Sequence, residues 1–284
     1  MIGLVVEGGA SRTYFSVGVM DVLMKYGIHA DYIVGASAGI SNAMNYVSGQ
    51  PGRALEIGLK YVPGKEYSGL RHMFNPKNRS LFNIDYIFRK IPDELVPFDY
   101  EAFKNYKGEV EAAVTNVHTG KPEYLKVDPE KDGWEVLVAS CSLPIMFPVE
   151  KIGDKEYMDG GITDSIPYMR AVQKGCDKII VILTREPAYS KKKSRDAEFA
   201  AKFFGKYPNF KTALLNRSDM YNGQRDKLKE LEKQGKAFVL YPKDTSSWKR
   251  TENSAEMLKM MYDEGYLQAE KQIAKIKKYI GCDI

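Results

Sequence analysis

Cysteine and histidine are scarce, with three of each in 284 residues. Cys141, Cys176 and Cys282 are odd in number and far apart, so they suggest neither a disulfide framework nor a zinc-ligand pattern. A reducing cytoplasm is the expected setting. No apolar run approaches the roughly 20 residues needed to span a bilayer. Met1-Ile2-Gly3-Leu4 passes straight into a strand-like run, without a basic segment or a small-residue cleavage site, which predicts no secretory leader. Internal repeats and low-complexity stretches are absent. The formal charge of +5 is modest and does not mark a nucleic-acid binder, because aromatics do not interleave with the basic residues as they do in nucleic-acid modules. Lys191-Lys192-Lys193 and residues 271–278 are the dense basic places. They read as solvated surface or as weak attraction to anionic lipid headgroups, a peripheral contact at the inner membrane surface.

What is present is enough apolar sequence for a large core, 44% of the chain, spread along its length. Residues 2–6 read as a strand apolar on both faces, as in a parallel sheet. Residues 14–26 read as a helix apolar nearly all round, hence buried. Residues 32–36 form a second strand and 40–47 a second helix, so the chain opens βαβα and predicts a parallel core with right-handed crossovers. A helix is expected over 51–61, and a weakly patterned stretch over 63–97 with short helical pieces at 70–74 and 85–90. Two hairpins follow, 109–116 with 122–127 and 149–152 with 155–158. Helices at 134–140 and 166–174, strands at 178–184 and 237–242, and broken helices over 198–234 complete the pattern. Asn253 with Glu256 three residues on suggests a capping box for a last helix ending near Tyr279. The expected organisation is a core over residues 1–185 and a mainly helical portion over 186–284 packed on it as one continuous domain.

The chemistry gathers at Gly35-Ala36-Ser37-Ala38-Gly39. A G-x-S-x-G between strand and helix is the setting in which a serine becomes a nucleophile. The helix amides and dipole behind Ser37 favour developing negative charge. Gly35 and Gly39 have a steric reason to be small. The plain alternative is a small-residue turn that only packs. Serine needs a base, and histidine is a poor candidate. His29 precedes the second strand and should lie on the order of 15 Å from Ser37, and no motif marks His72 or His118. A carboxylate is the other option, and Asp159 follows a strand and precedes Gly160-Gly161, although Asp-Gly is also a common turn pair. Gly8-Gly9-Ala10 opens a helix after the first strand, so its amides and that of Ala38 could form an oxyanion hole. The same loop lacks both the G-K-[ST] ending of a P-loop and the G-x-G-x-x-G of a dinucleotide site.

Glu7-Gly8-Gly9-Ala10-Ser11-Arg12, Gly35-Ala36-Ser37-Ala38-Gly39 and Asp159-Gly160-Gly161, in that order, resemble the three signatures of the patatin-like phospholipases. The segment from Ser140 to Pro148 resembles the family's stretch before the aspartate, and the match covers about residues 2–185. The resemblance implies a three-layer α/β/α fold with a mainly parallel central sheet and a helical C-terminal cap. It implies a Ser37–Asp159 dyad, an oxyanion hole at Gly8, Gly9 and Ala10, and Arg12 as the positive residue closing that loop. The activity implied is hydrolysis of acyl lipid esters through an acyl-enzyme, with no metal and no cofactor. Ala10 departs from the family, which usually has a third glycine there, and Thr13 stands where glycine is common. Two other readings share the fold: acyl transfer to an alcohol, and lipid binding without catalysis.

Overall fold

Strand β1 (Ile2–Val6) lies at the centre of the sheet because nothing along it is polar enough to face water. In the computed structural model, which describes residues 1–75, 79–128 and 133–282, it pairs in parallel with β2 (Tyr32–Ala36) on one side and β7 (Lys178–Ile182) on the other. The remaining strands are β3 (Glu109–Asn116), β4 (Pro122–Lys126), β5 (Glu150–Ile152), β6 (Lys155–Asp159) and β8 (Ala237–Leu240). The sheet order is β5-β6-β3-β2-β1-β7-β8, with β4 paired to β3 off this path. The two expected hairpins, β3–β4 and β5–β6, and the β3–β6 pair between them are the antiparallel parts of an otherwise parallel sheet.

Alternation along the strands sends side chains to two cores. Leu4, Val6 and Ile33 face one, and Val5, Tyr32 and Val34 face the other. The first is covered by α1 (Tyr14–Lys25), α2 (Ala38–Val47), α6 (Gly133–Cys141) and α11 (Ala255–Ile280). The second is covered by α7 (Tyr168–Gln173) and α10 (Arg217–Lys233), so the fold is the expected three-layer α/β/α. The shorter helices α3 (Arg53–Lys60), α4 (Leu70–Met73) and α5 (Tyr100–Asn105) lie in the chain between β2 and β3. Helices α8 (Arg195–Ala201) and α9 (Pro208–Leu215) build a smaller apolar cluster around Phe204, Phe210 and Met158.

Helix α1 is buried from Tyr14 to Leu23 because it runs between the sheet and α11. The two helices approach at glycines: a Cβ on Gly18 would overlap the carbonyl oxygen of Tyr262, and one on Gly265 that of Phe15. Asp21, buried at this crossing, accepts from Tyr262 Oη and from Gly52 N–H, each at 2.8 Å.

Several boundaries differ from the sequence reading. Helix α11 is capped by Ser254, whose Oγ accepts from Met257 N–H, whereas Asn253 lies outside it with its N–H on Glu252 Oε1. The expected Asn253–Glu256 box therefore does not form. Helix α7 starts at Tyr168 because Pro167 takes the cap position. Within the weakly patterned 63–97 stretch, of which residues 76–78 lie outside the described residues, Tyr86–Leu95 winds as a π-helix containing Pro92. A proline has no N–H to donate, which favours such a departure from regular helix.

Candidate active site

Strand β3 brings the two ends of the site together. Its two edges are shared among three partners: β4 covers 111–115 on one edge, so β2 and β6 must follow one another along the other edge. On that edge Ala36 pairs with Ala113 and Asp159 with Val114. Strand β2 runs parallel to β3 and β6 antiparallel, so both reach the same point with their carboxyl ends. Ser37, the next residue after β2, meets Asp159, the last residue of β6, although 122 positions separate them.

The turn at Ser37 is strained. Its φ of +54° and ψ of −140° belong to a region that side chains avoid. Three contacts hold it there: Ser37 N–H donates to Ser140 Oγ (2.9 Å), Ser41 N–H donates to Ser37 O (3.3 Å), and Ser37 Oγ donates to Asp159 Oδ2 (2.8 Å). Gly39 is needed because a Cβ there would come 2.5 Å from Glu7 O. Ser37 thus caps α2, at the helix end where an anion is stabilised.

Asp159 is 1% exposed and every polar edge of it is used. Oδ1 accepts from Gly161 N–H at 2.7 Å, the backbone N–H donates to Ser142 O, and the carbonyl accepts from Thr115 Oγ1. Arg217 Nε donates to Gly161 O at 2.7 Å and so fixes the loop behind the carboxylate. Cys141 lies beside Ser41, with its Sγ 3.3 Å from Ser41 Oγ. Burial pushes its thiol up to about 12, which disfavours the thiolate. The histidines are elsewhere. His118 pairs with Glu156, His72 contacts Lys65 O, and His29 is exposed; none lines either cavity described below.

The loop after β1 lies opposite Ser37. Gly8 N–H donates to Ser165 O at 3.3 Å, which takes that amide out of the set available to an oxyanion. Gly9, Ala10 and Ala38 keep the remaining candidate amides. Ala10 has φ +50°, in the left-handed region that glycine enters more readily than a residue with a Cβ. Ser11 anchors the loop to the far end of the chain: its N–H donates to Arg250 O (3.1 Å) and its Oγ to Glu252 O (2.7 Å). Arg12 has its guanidinium Nε buried without a hydrogen-bond partner among the described residues.

Ser37 opens onto two cavities. One, of about 220 Å³, is mostly apolar and is lined by residues such as Met44, Ile57, Val62, Phe88 and Phe147. The other, of about 520 Å³, is lined by Asp159, Gly8, Gly9, Arg12 and a group of further basic residues. Ala10, Ser37 and Leu143 belong to both. Phe199, Ile145 and Leu215 are exposed apolar side chains along the second cavity. Among the described residues no group of three or more His, Cys, Asp or Glu side chains is placed to hold a metal ion, and no helix is long and apolar enough to cross a membrane.

Sequence reasoning singled out Ser37, Asp159 and the 8–12 loop but missed Ser140 as a partner of Ser37 N–H, and Arg217 as the support of Gly161. Ser140 lies in the stretch that resembles the family, so its position carried a signal. Arg217 carried none, because its contact depends on how α10 packs.

Residues 4–172 match the family model "Patatin-like phospholipase", and residues 207–281 match a second described as "Domain of unknown function (DUF6363)". Over 196 residues, 64% of this chain, the sequence is 29% identical to "Uncharacterized protein YjjU" of Escherichia coli (strain K12) and spans 52% of that protein. It is 25% identical over 191 residues to "Lysophospholipase NTE1" of Debaryomyces hansenii, spanning 12% of it. The chain thus covers about half or less of the length of these relatives. Among solved structures, VipD from Legionella pneumophila superposes with a TM-score of 0.50 at 12% identity, over 96% of this chain and 66% of that one, a likeness of fold.

Proposed function

Because the chain belongs to the patatin-like phospholipase family, we propose that it is a lipid acyl hydrolase working through a Ser37–Asp159 dyad. The observation that carries this reading is the 2.8 Å hydrogen bond from a strained, cap-positioned Ser37 Oγ to a buried Asp159, at the mouth of an apolar cavity. Ser37 Oγ attacks the acyl carbonyl carbon as Asp159 Oδ2 takes its proton. The carbonyl oxygen becomes an oxyanion, for which the amides of Gly9, Ala10 and Ala38 are the donors. Collapse breaks the ester C–O bond, and the proton on Asp159 passes to the leaving alkoxide, giving a free alcohol and an acyl-Ser37 enzyme. Water then attacks the acyl carbon with Asp159 again as base, and release of the fatty acid returns the proton to Ser37. The acyl chain lies in the 220 Å³ apolar cavity. Exposed Phe199, Ile145 and Leu215, with Lys192 and Lys193 nearby in sequence, are the surface that meets the lipid, including an anionic membrane face.

Fatty-acid release from phospholipids, lysophospholipids and simple esters tests the reading, together with covalent labelling by a fluorophosphonate. Wild type is expected to turn over and to label, and Ser37→Ala to do neither. Equal labelling of the two proteins would remove Ser37 as nucleophile. Full turnover in Asp159→Asn would remove the dyad. An added alcohol that diverts product from fatty acid to ester would assign acyl transfer instead.

A further inference from the structure

The larger cavity holds more positive charge than the protein around it neutralises. Arg12, Arg185, Lys191, Lys192, Arg217 and Arg250 line it. Of the carboxylates that line it, Glu7 is occupied by Tyr221 Oη (2.6 Å) and Thr184 N–H (2.5 Å), Asp159 by Ser37 and Gly161, and Asp196 is exposed at the rim. No carboxylate forms an ion pair with any of the six cations among the described residues. Arg12 Nε, Arg185 Nε and Ser218 Oγ, on three lining residues, are buried without a hydrogen-bond partner among the described residues. Burial, aided by Arg217, Arg250 and Arg12, brings the Lys191 ammonium down to about 7. Burial and the neighbouring Arg185 bring Arg12 down to about 10. Cations held so closely without counter-charge make a site for an anion of high charge.

The aromatic residues sharpen the class of anion. Tyr189 and Tyr221 line the cavity, but Arg185 lies 4.3 Å over the first ring and Lys191 4.4 Å over the second. Each ring already carries a protein cation on one face, which repels a ligand ammonium brought up to it. A zwitterionic headgroup would bring its own cation into a field of like charge. A phosphomonoester brings up to two negative charges and no cation.

We infer that this cavity is the headgroup subsite of the proposed acyl hydrolase and selects lipids whose headgroup is a phosphomonoester over zwitterionic phosphodiesters and neutral glycerides. The inference rests on the acyl-hydrolase reading, with the apolar cavity on one side of Ser37 taking the chain and the basic cavity on the other taking the phosphate.

Fatty-acid release from lysophosphatidate, lysophosphatidylcholine and monoacylglycerol of one chain length, each below its critical micelle concentration, tests it on the full chain. The phosphomonoester is expected to show kcat/KM at least tenfold above either of the others. That ratio should fall toward one in Lys191→Gln and in Arg250→Gln, whose side chains make no hydrogen bond or ion pair among the described residues. Inorganic phosphate separates a headgroup from a free anion as the occupant. Competition against lysophosphatidate alone supports the headgroup, and an equal effect on all three substrates overturns it. Equal kcat/KM for the three lipids, or a ratio that survives in both variants, also overturns it. If wild type releases fatty acid from none of them, the acyl-hydrolase reading is what fails. Calorimetric binding to Ser37→Ala then decides the subsite: preference for lysophosphatidate over lysophosphatidylcholine supports it, and equal binding overturns it.

Discussion

A Cβ at Gly160 would overlap the carbonyl oxygen of Ala113, so β6 leaves its last residue, Asp159, pressed against β3. That closeness sets the position of the carboxylate beside Ser37. Gly160→Ala should push the loop away from β3, cost about 2–3 kcal/mol of stability by overpacking, and lower kcat at least tenfold. Urea unfolding and steady-state kinetics on the same preparation check both numbers.

Ser140 makes a second claim on the same carbonyl. Its Oγ donates to Ala113 O (2.7 Å) and accepts from Ser37 N–H (2.9 Å), so it is a positioning residue for the strained turn. Ser140→Ala leaves a buried amide unpaired, at a cost of about 1–3 kcal/mol. We expect kcat to fall about tenfold with KM little changed, because this hydroxyl is fully buried and lines neither cavity. A change confined to KM would contradict the assignment.

Ala10, at φ +50°, is a site where glycine should fit better. An L-residue in this region costs about 1–2 kcal/mol, and glycine gives back part of that through its looser unfolded chain. Ala10→Gly is therefore expected to stabilise the protein by about 0.5–1 kcal/mol and to retain the backbone amide proposed as an oxyanion donor. Thermal unfolding measures the first effect. A loss of activity beyond twofold would show that the methyl group itself shapes the site.

Acid sensitivity should come from the far side of the sheet. Burial of Glu111 would raise its pKa, but hydrogen bonds from Arg170 (2.7 and 2.9 Å), Tyr32 (2.6 Å) and Lys174 outweigh it and hold the carboxylate at about 2. A folded pKa below the unfolded one gives stability that is present above about pH 4.5 and lost as pH falls toward 2. The contribution is about 3 kcal/mol. Glu111→Gln should lower stability at pH 7 and flatten the decline between pH 4.5 and 2. Denaturant midpoints across that range would show whether the slope disappears.

Much of this arrangement could be read from residue order. Residues 32–47 declared strand, turn and helix through a β-branched run followed by small residues, and the buried α1 followed from its apolar circumference. The Ser254 cap was missed because Asn253 is an equally good capping residue by type, and only the path of the chain after Glu252 decides between neighbours. The π-helix at 86–95 had no periodicity to declare it. The basic cavity was illegible for a different reason. Arg12 stood out in the loop after β1 and Lys191 in the basic run 191–193, but Arg185, Arg217 and Arg250 come from separate segments, and each of these alone looks like an ordinary surface charge. Pairing of β6 with the free stretch of β3, which brings Asp159 to Ser37, likewise depends on register across more than a hundred residues.

The bond from Ser11 Oγ to Glu252 O joins residues 241 apart. A ribosome adds roughly 5–20 residues per second, so the loop that carries Ala10 waits on the order of 10–50 s for the segment that braces it. Ser37 is made long before the segment that supports the facing loop. If Ser37 cleaves esters, it does so only once the stretch around Glu252 has been made, and a shorter nascent chain carries the same hydroxyl opposite an unbraced loop.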